Sequence, residues 1–391
     1  MLKMKDVALL DIGSSRIDFL YGSMNGNNMD VVASSSANYS GFSDGEFFEE
    51  DKLVDIIGGL VREVENKVGK RVLKKVYVAV PGEFIMVDVK KVQEQFPKPR
   101  AVTNNDWDRL IDRAETSSNT DDYVNIASNG LIFEADSYKP LNSRSDDEVV
   151  TRSIMATVSC VLCSRKFISL FGDIFNELDI KEAEYFSASF AEAMYLTTKQ
   201  ERDKGVLLCD IGYLTTTVML VKGNGIMDIR SFSRGGGHMI ADLIEAYGID
   251  FKSADSLYHR INLKVDASDG DMYRFNMPDG IAGLPMNEVN EIACYELDIL
   301  VKYINKCIDC FGDKVNDFMP IFFTGGGLSP VKGAMDYVAH STNRKFHIRK
   351  PNVMQYRDPW YSSLVSGFCL ANIKERNSNV VRKFFNKLFG G

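Results

Sequence analysis

One local pattern occurs twice in this chain, about 200 residues apart: an apolar strand ending in Asp-x-Gly, a turn carrying hydroxyls, and a second apolar strand. The first copy is Val7-Ala-Leu-Leu-Asp-Ile12, then Gly13-Ser14-Ser15, then Arg16-Ile-Asp-Phe-Leu-Tyr21. The second is Gly205-Val-Leu-Leu-Cys-Asp-Ile211, then Gly212-Tyr-Leu, then Thr215-Thr-Thr-Val-Met-Leu-Val221. Each copy predicts a hairpin. Repetition at this distance predicts an internal duplication, and hence two similar halves.

An isolated Asp-x-Gly is usually no more than a tight turn. Two of them at the starts of two similar halves make sense if both face one cleft and grip a polyphosphate. Gly13 and Gly212 let the backbone approach closely, and the N–H groups and hydroxyls of Ser14, Ser15, Thr215 and Thr216 can donate to phosphate oxygens. Asp11 and Asp210 can hold Mg²⁺ through water. A third glycine run, Gly325-Gly326-Gly327, is expected at a strand-to-helix junction, where a helix N-terminus can face an anion.

Between the repeats, helical spacing covers 53–67, 105–116, 167–176 and 183–197. Strand-like runs cover 76–80, 85–92, 131–135 and 149–161, with a polar loop at 136–148. Residues 83–163 therefore look like a small inserted α+β unit. After the second repeat come a glycine turn at 235–237, helices near 239–247, 252–262 and 287–311, a strand at 319–323 and a helix near 331–339.

Taken together, these elements resemble the actin, hexokinase and heat-shock-chaperone ATPase superfamily and, within it, the FtsA family of bacterial cell-division proteins. Asp11-Ile-Gly-Ser-Ser15 looks like the first phosphate loop, Asp210-Ile-Gly-Tyr-Leu-Thr-Thr216 like the second, and Thr324-Gly-Gly-Gly-Leu-Ser-Pro-Val-Lys-Gly333 like the adenosine loop. Val76-Tyr-Val-Ala-Val-Pro-Gly82 precedes an insertion of the size of that family's extra subdomain, and Gly235-Gly236 with Asp242 resembles its Gly-Gly turn. The likeness implies an α/β, two-lobed actin-like ATPase fold with an inserted small α+β subdomain and a C-terminal amphipathic helix. Its parts would be lobe I over 1–82 and 164–204, the insert over 83–163, and lobe II over 205–230 and 319–371. An accessory subdomain would cover 231–318, a polar linker 372–378 and the terminal helix 379–391. It also implies ATP and Mg²⁺ as cofactors, with Gly235, Gly236 and Asp255 joining the loops as nucleotide contacts. The implied partners are an FtsZ-like tubulin homologue, further copies of the chain, and other division proteins met through the insert.

The chain departs from that pattern in three places. Tyr213-Leu214 put bulk in the second loop where small residues are expected. Ala188-Ser-Phe-Ala-Glu-Ala193 resembles a family segment that begins near a water-positioning acid, yet no acid stands at its start. Ala254-Asp-Ser-Leu-Tyr258 resembles a ribose- and adenine-contacting stretch, keeping the acid Asp255 and losing a lysine. Phosphate binding is spread over many backbone groups, whereas orienting a water depends on few side chains, so ATP binding with slow or absent hydrolysis is expected. Glu192 or Glu184 are the candidates to replace the missing acid, although on a helix such residues are more often solvated surface charges.

The terminal stretch 379–390, as a helix, would separate into two faces. Val380, Val381, Phe384, Phe385, Leu388 and Phe389 form an oily side, while Arg382, Lys383 and Lys387 supply charge on the other. About 18 Å long, such a helix would lie on a bilayer rather than cross it. The chain's net charge is −8, but residues 371–391 hold +4 of their own, which leaves −12 on the rest. An acidic body argues against general nucleic-acid binding, and a basic tail on it points to anionic lipid.

The opening Met1-Leu-Lys-Met-Lys-Asp-Val7 lacks a signal-peptide run. Seven cysteines fit reduced thiols, and the pairs Cys160/Cys163 and Cys307/Cys310 lie too far apart in sequence to suggest a zinc knuckle. The expectation is a peripheral protein on the cytoplasmic face of the membrane at the division site. Two other readings share the fold: a pilus-assembly adaptor of the PilM type, which needs no tail, and a soluble sugar or acetate kinase, which needs a catalytic acid.

Overall fold

The computed structural model describes residues 6–25, 28–69, 74–136, 139–140 and 149–377. The predicted membrane-facing residues from Val380 to Phe389 lie outside it, as does most of the polar loop at 136–148.

Two five-stranded sheets with matching connectivity carry the fold. In the first, the spatial order is Glu182–Ser187, Lys75–Val80, Val7–Ile12, Arg16–Asn25, Asn28–Asn38. In the second it is Gly225–Phe232, Thr216–Lys222, Val206–Ile211, Ile321–Thr324, Phe346–Ile348, the same arrangement read from the opposite edge. Each opening strand pairs antiparallel with its hairpin partner on one side and parallel with a later strand on the other. The duplication expected from the two Asp-x-Gly turns is thus present in the topology. All six residues of Val7–Ile12 are buried, the near-continuous apolar run that a strand covered on both faces needs.

Two large apolar cores fill the lobes, and the first extends across to one face of the second sheet through Leu208, Met219, Val221 and Phe322. The first includes Leu9, Phe19, Ile57, Val78, Phe171, Phe186 and Phe368, the second Leu207, Val218, Leu257, Leu297, Ile304 and Phe323. A third, smaller core belongs to the insert. There Ile85–Ala101, Val150–Ser164 and Tyr123–Ala135 form long antiparallel strands, and Trp107, Leu110 and Ala114 of the helix Asn104–Thr116 pack on Phe133, Val158 and Cys160.

One expected helix is partly a strand. The first five residues of the predicted 183–197 helix belong instead to the strand Glu182–Ser187, which pairs in parallel with Lys75–Val80, from Glu182 opposite Lys75 to Ser187 opposite Val80. Helix begins only at Ala188 and runs to Leu196, with the Ser187 hydroxyl accepting from Phe190 N–H at its start. Likewise, helix does not follow Gly325–Gly327 directly; it starts at Ala334.

The last helix, Ser362–Asn377, lies along the first lobe. Asn372 Oδ1 accepts from Met24 N–H over 3.0 Å, Tyr77 donates to Glu375 Oε2 over 2.7 Å, and Lys374 meets Glu184 at 2.9 Å. No helix among the described residues is long and apolar enough to cross a membrane.

Candidate functional site

Strand ends of both sheets open onto one cleft of about 140 Å³ between the lobes. Asp11, Gly13, Ser14 and Ser15 line it from the first repeat, Asp210, Gly212 and Thr215 from the second, and Gly325, Gly326 and Gly327 from the third glycine run. These predicted residues are brought together. Thr216, Gly235, Gly236 and Asp255 are not on the cavity wall.

Thr216 is displaced by the two-residue period of a strand. Its hydroxyl donates to Arg234 O over 2.6 Å, away from the cavity, and Thr217, the next residue, faces the cleft in its place. Since the Gly325–Gly327 segment enters a turn rather than a helix, no helix N-terminus supplies its amides.

At the cleft the two turns also meet each other directly. Leu214 N–H donates to Ser14 Oγ over 3.1 Å, across 200 positions of sequence. Pro81-Gly82-Glu83 follows the strand Lys75–Val80 as the glycine run follows Ile321–Thr324, and this counterpart loop completes the cavity. Glu83 is hydrogen-bonded to the Thr215 side chain of the opposite lobe. Gly82 is held so close to Thr217 that a β-carbon there would stand 2.4 Å from Oγ1.

Carboxyl groups dominate the electrostatics. Asp11, Asp18, Glu83, Glu192 and Asp210 all line the cavity, and Arg16 is the cation among them, bound to Asp18 at 2.8 Å. Burial pushes Asp11 and Asp210 each up to about 7; Asp18 and Asp210 add to the rise on Asp11, which a hydrogen bond from Ser363 opposes, and Glu83 adds to that on Asp210. Glu192 is raised well above the carboxylate range by burial, then by Asp210 and Asp11.

Glu192 differs from its expected place on a solvated face. It is 1% exposed, and its Oε1 has no hydrogen-bond partner. Because it sits four residues, one helical turn, beyond Ala188, it projects from the same face and lines the cavity with Ala188 and Ser189. Glu184, on the strand, instead pairs with Lys75 at 2.7 Å and with Lys374, outside the cavity. Glu83 and Ser363 had no distinct motif in the sequence; the signal for Glu83 was the Pro-Gly break directly after an apolar strand.

A triphosphate adds to the negative charge of this wall, so it enters only with a divalent cation or with protons. The bare Oε1 atoms of Glu83 and Glu192 are acceptors that hydrated Mg²⁺ can satisfy. On the phosphate side, therefore, the residues fit a magnesium polyphosphate, which Asp11, Asp210 and the hydroxyls of Ser15 and Thr215 would hold.

The family model described as "Cell division protein FtsA" matches residues 207–366. The cell division protein FtsA of Bacillus subtilis (strain 168) is 19% identical over 376 residues, spanning 95% of this chain and 84% of that protein. Among solved structures, the PilM-PilN type IV pilus biogenesis complex superposes with a TM-score of 0.62 at 14% identity, covering 94% of this chain and 98% of that one. MreB 5 of Spiroplasma citri, solved with AMPPNP, gives 0.55 at 11% identity, covering 96% and 99%. The fold is therefore actin-like, and the sequence resembles FtsA along most of its length.

Proposed function

We propose that this chain, as a divergent relative of FtsA, is an actin-like adaptor of cell division. It binds ATP with Mg²⁺ between its lobes, assembles with further copies of itself, and tethers FtsZ-like filaments to the cytoplasmic membrane through 379–391. The observation that carries this reading is the pair of matching sheets whose Asp-x-Gly turns meet across one carboxyl-lined cleft, on a chain that resembles FtsA over 95% of its length.

In this reading Asp11 and Asp210 hold the hydrated cation, which neutralises charge that the wall alone cannot. Ser14 and Leu214 already join the two turns, so the closed arrangement is the one that a cation and a polyphosphate would reinforce. Glu192 faces the cavity and is the group available to orient a water. The work of such a protein is mechanical coupling, with turnover slow.

A PilM-type adaptor is the second reading, favoured by the 0.62 TM-score to the PilM-PilN complex. Flotation on anionic liposomes separates the two. A division tether floats as the full chain and stays in the soluble fraction once 378–391 are deleted, whereas an adaptor that docks on a membrane partner behaves alike in both forms.

A further inference from the structure

The glycine turn and the glycine run that resemblance assigns to a nucleoside pack directly on each other: a β-carbon on Gly236 would stand 1.7 Å from Gly327 O. Tyr213 both lines the cavity and covers the glycine turn. Its ring lies so close over Gly237 that a β-carbon there would stand 2.7 Å from Cε1 and 2.8 Å from Cζ. Backbone bonds fix the arrangement: Gly236 N–H donates to Gly212 O over 3.1 Å and Gly237 N–H to Tyr213 O over 2.7 Å. The first amides of the helix Gly236–Tyr247 are thus spent on the second loop and are not free for an anion.

From the opposite side Tyr258, buried where the resemblance expects a lysine, donates its hydroxyl to Gly327 O of the adenosine loop. Asp255 lies near enough to act electrostatically on both tyrosines, yet it does not reach the cavity. What remains open is about 140 Å³, well under the roughly 300–1,000 Å³ of pockets that enclose a whole ligand.

We propose that Tyr213 is a built-in occupant of the nucleoside half of the cleft. Its ring stands where a ribose would, and a nucleotide seats its base only after the ring swings away from Gly237. The resting cleft recognises a polyphosphate with its cation and gains little from the base. This rests on reading the cleft as a nucleotide site, and it makes residue 213 the determinant of how strongly a nucleoside is preferred. If the ring-out state is a minor one, apparent nucleotide affinity is reduced by its population, a penalty that a polyphosphate without a base does not meet.

Calorimetric titration of the full-length protein with magnesium ATP and with magnesium tripolyphosphate tests this, using wild type, Tyr213→Gly and Tyr213→Phe. Wild type and Tyr213→Phe are expected to bind the two ligands within about threefold of each other, because the ring and not the hydroxyl fills the space. Tyr213→Gly is expected to bind ATP at least about tenfold tighter than wild type while its tripolyphosphate affinity stays put. Tyr213→Ala, with a less flexible backbone, serves in its place if thermal melting shows the glycine variant unfolded. A wild-type preference for ATP of about a hundredfold, or no gain on removing the ring, overturns the proposal. Binding of neither ligand by any folded variant overturns the nucleotide reading beneath it.

Discussion

Ser363, in the first turn of the last helix, donates its hydroxyl to Asp11 Oδ1 over 2.7 Å, closing a bond between residues 352 positions apart. That bond opposes a larger effect, since burial still leaves Asp11 at about 7. Below about pH 4 an unfolded aspartate and the buried one are both protonated and the group is neutral to stability. Between about pH 4 and pH 7 the unfolded chain has lost its proton and the folded one has not, so stability falls as pH rises, and the loss is complete above that range. The melting temperature of the nucleotide-free protein should therefore drop from about pH 5 to about pH 8. Asp11→Asn, which keeps an acceptor for Ser363, should flatten part of that slope. Comparison with wild type cancels the other titrating groups, and an unaltered slope in the variant refutes the assignment.

Glu192 is expected to govern whatever hydrolysis the cleft performs. Wild-type turnover should stay below about 1 s⁻¹, the low end of ordinary enzymes, and Glu192→Gln should lower it at least about tenfold. Magnesium ATP binding by the variant, measured by calorimetry, should remain within about threefold. A faster wild type, or a variant as fast as wild type, contradicts the prediction.

Gly82 sets how closely the lobes approach. In Gly82→Ala the new methyl would meet Thr217 Oγ1 at 2.4 Å, Thr217 Cγ2 at 2.8 Å and Ser189 Oγ at 3.0 Å. Relieving such overlap typically costs about 1–3 kcal/mol. The variant should melt earlier than wild type, and Thr217→Ala combined with it should recover part of the loss. Equal melting temperatures for Gly82→Ala and wild type would show that the approach is not tight.

The tail should bind membranes weakly as a single copy and strongly in an assembly. Six apolar side chains at headgroup depth contribute on the order of 1–2 kcal/mol each at most, offset by lost freedom. Many copies on one assembly gain about 10² to 10⁴ in avidity. Phe384→Glu or Phe385→Glu should release the protein from anionic liposomes in a flotation assay with ATP binding intact. Raised salt should weaken attachment only in part, because it screens Arg382, Lys383 and Lys387 but not the phenylalanines. Undiminished flotation of the 378–391 deletion would end the anchor assignment.

The duplication was legible because its signal is local: Asp-x-Gly closes each opening strand, and both turns lie where the spacing put them. What failed was non-local. Glu182-Ala-Glu-Tyr-Phe-Ser187 has the composition of a helix, yet it forms the edge strand beside Lys75–Val80, a partner about 100 residues away that no window of sequence contains. Thr216 and Thr217 exchange roles because a one-residue difference in where the turn ends moves every side chain to the other face. Glu192 was read as a surface charge for the same reason: with Ala188 one turn before it, its face is decided by the strand from which the helix departs, and not by its own neighbours. The bulk of Tyr213 was visible in the sequence, but its lie over Gly237 depends on a helix that begins more than twenty residues later.

The last helix has an unequal allegiance. At its start it touches both lobes, through Asp11 and through the 2.6 Å bond between Ser362 and Thr324. Beyond that first turn its polar ties to Met24, Tyr77 and Glu184 all belong to the first lobe. Were residues 378–391 held on a surface, as proposed, the first lobe would be the stator, tied to the anchor through this helix, and a change of the cleft would be passed outward by the second.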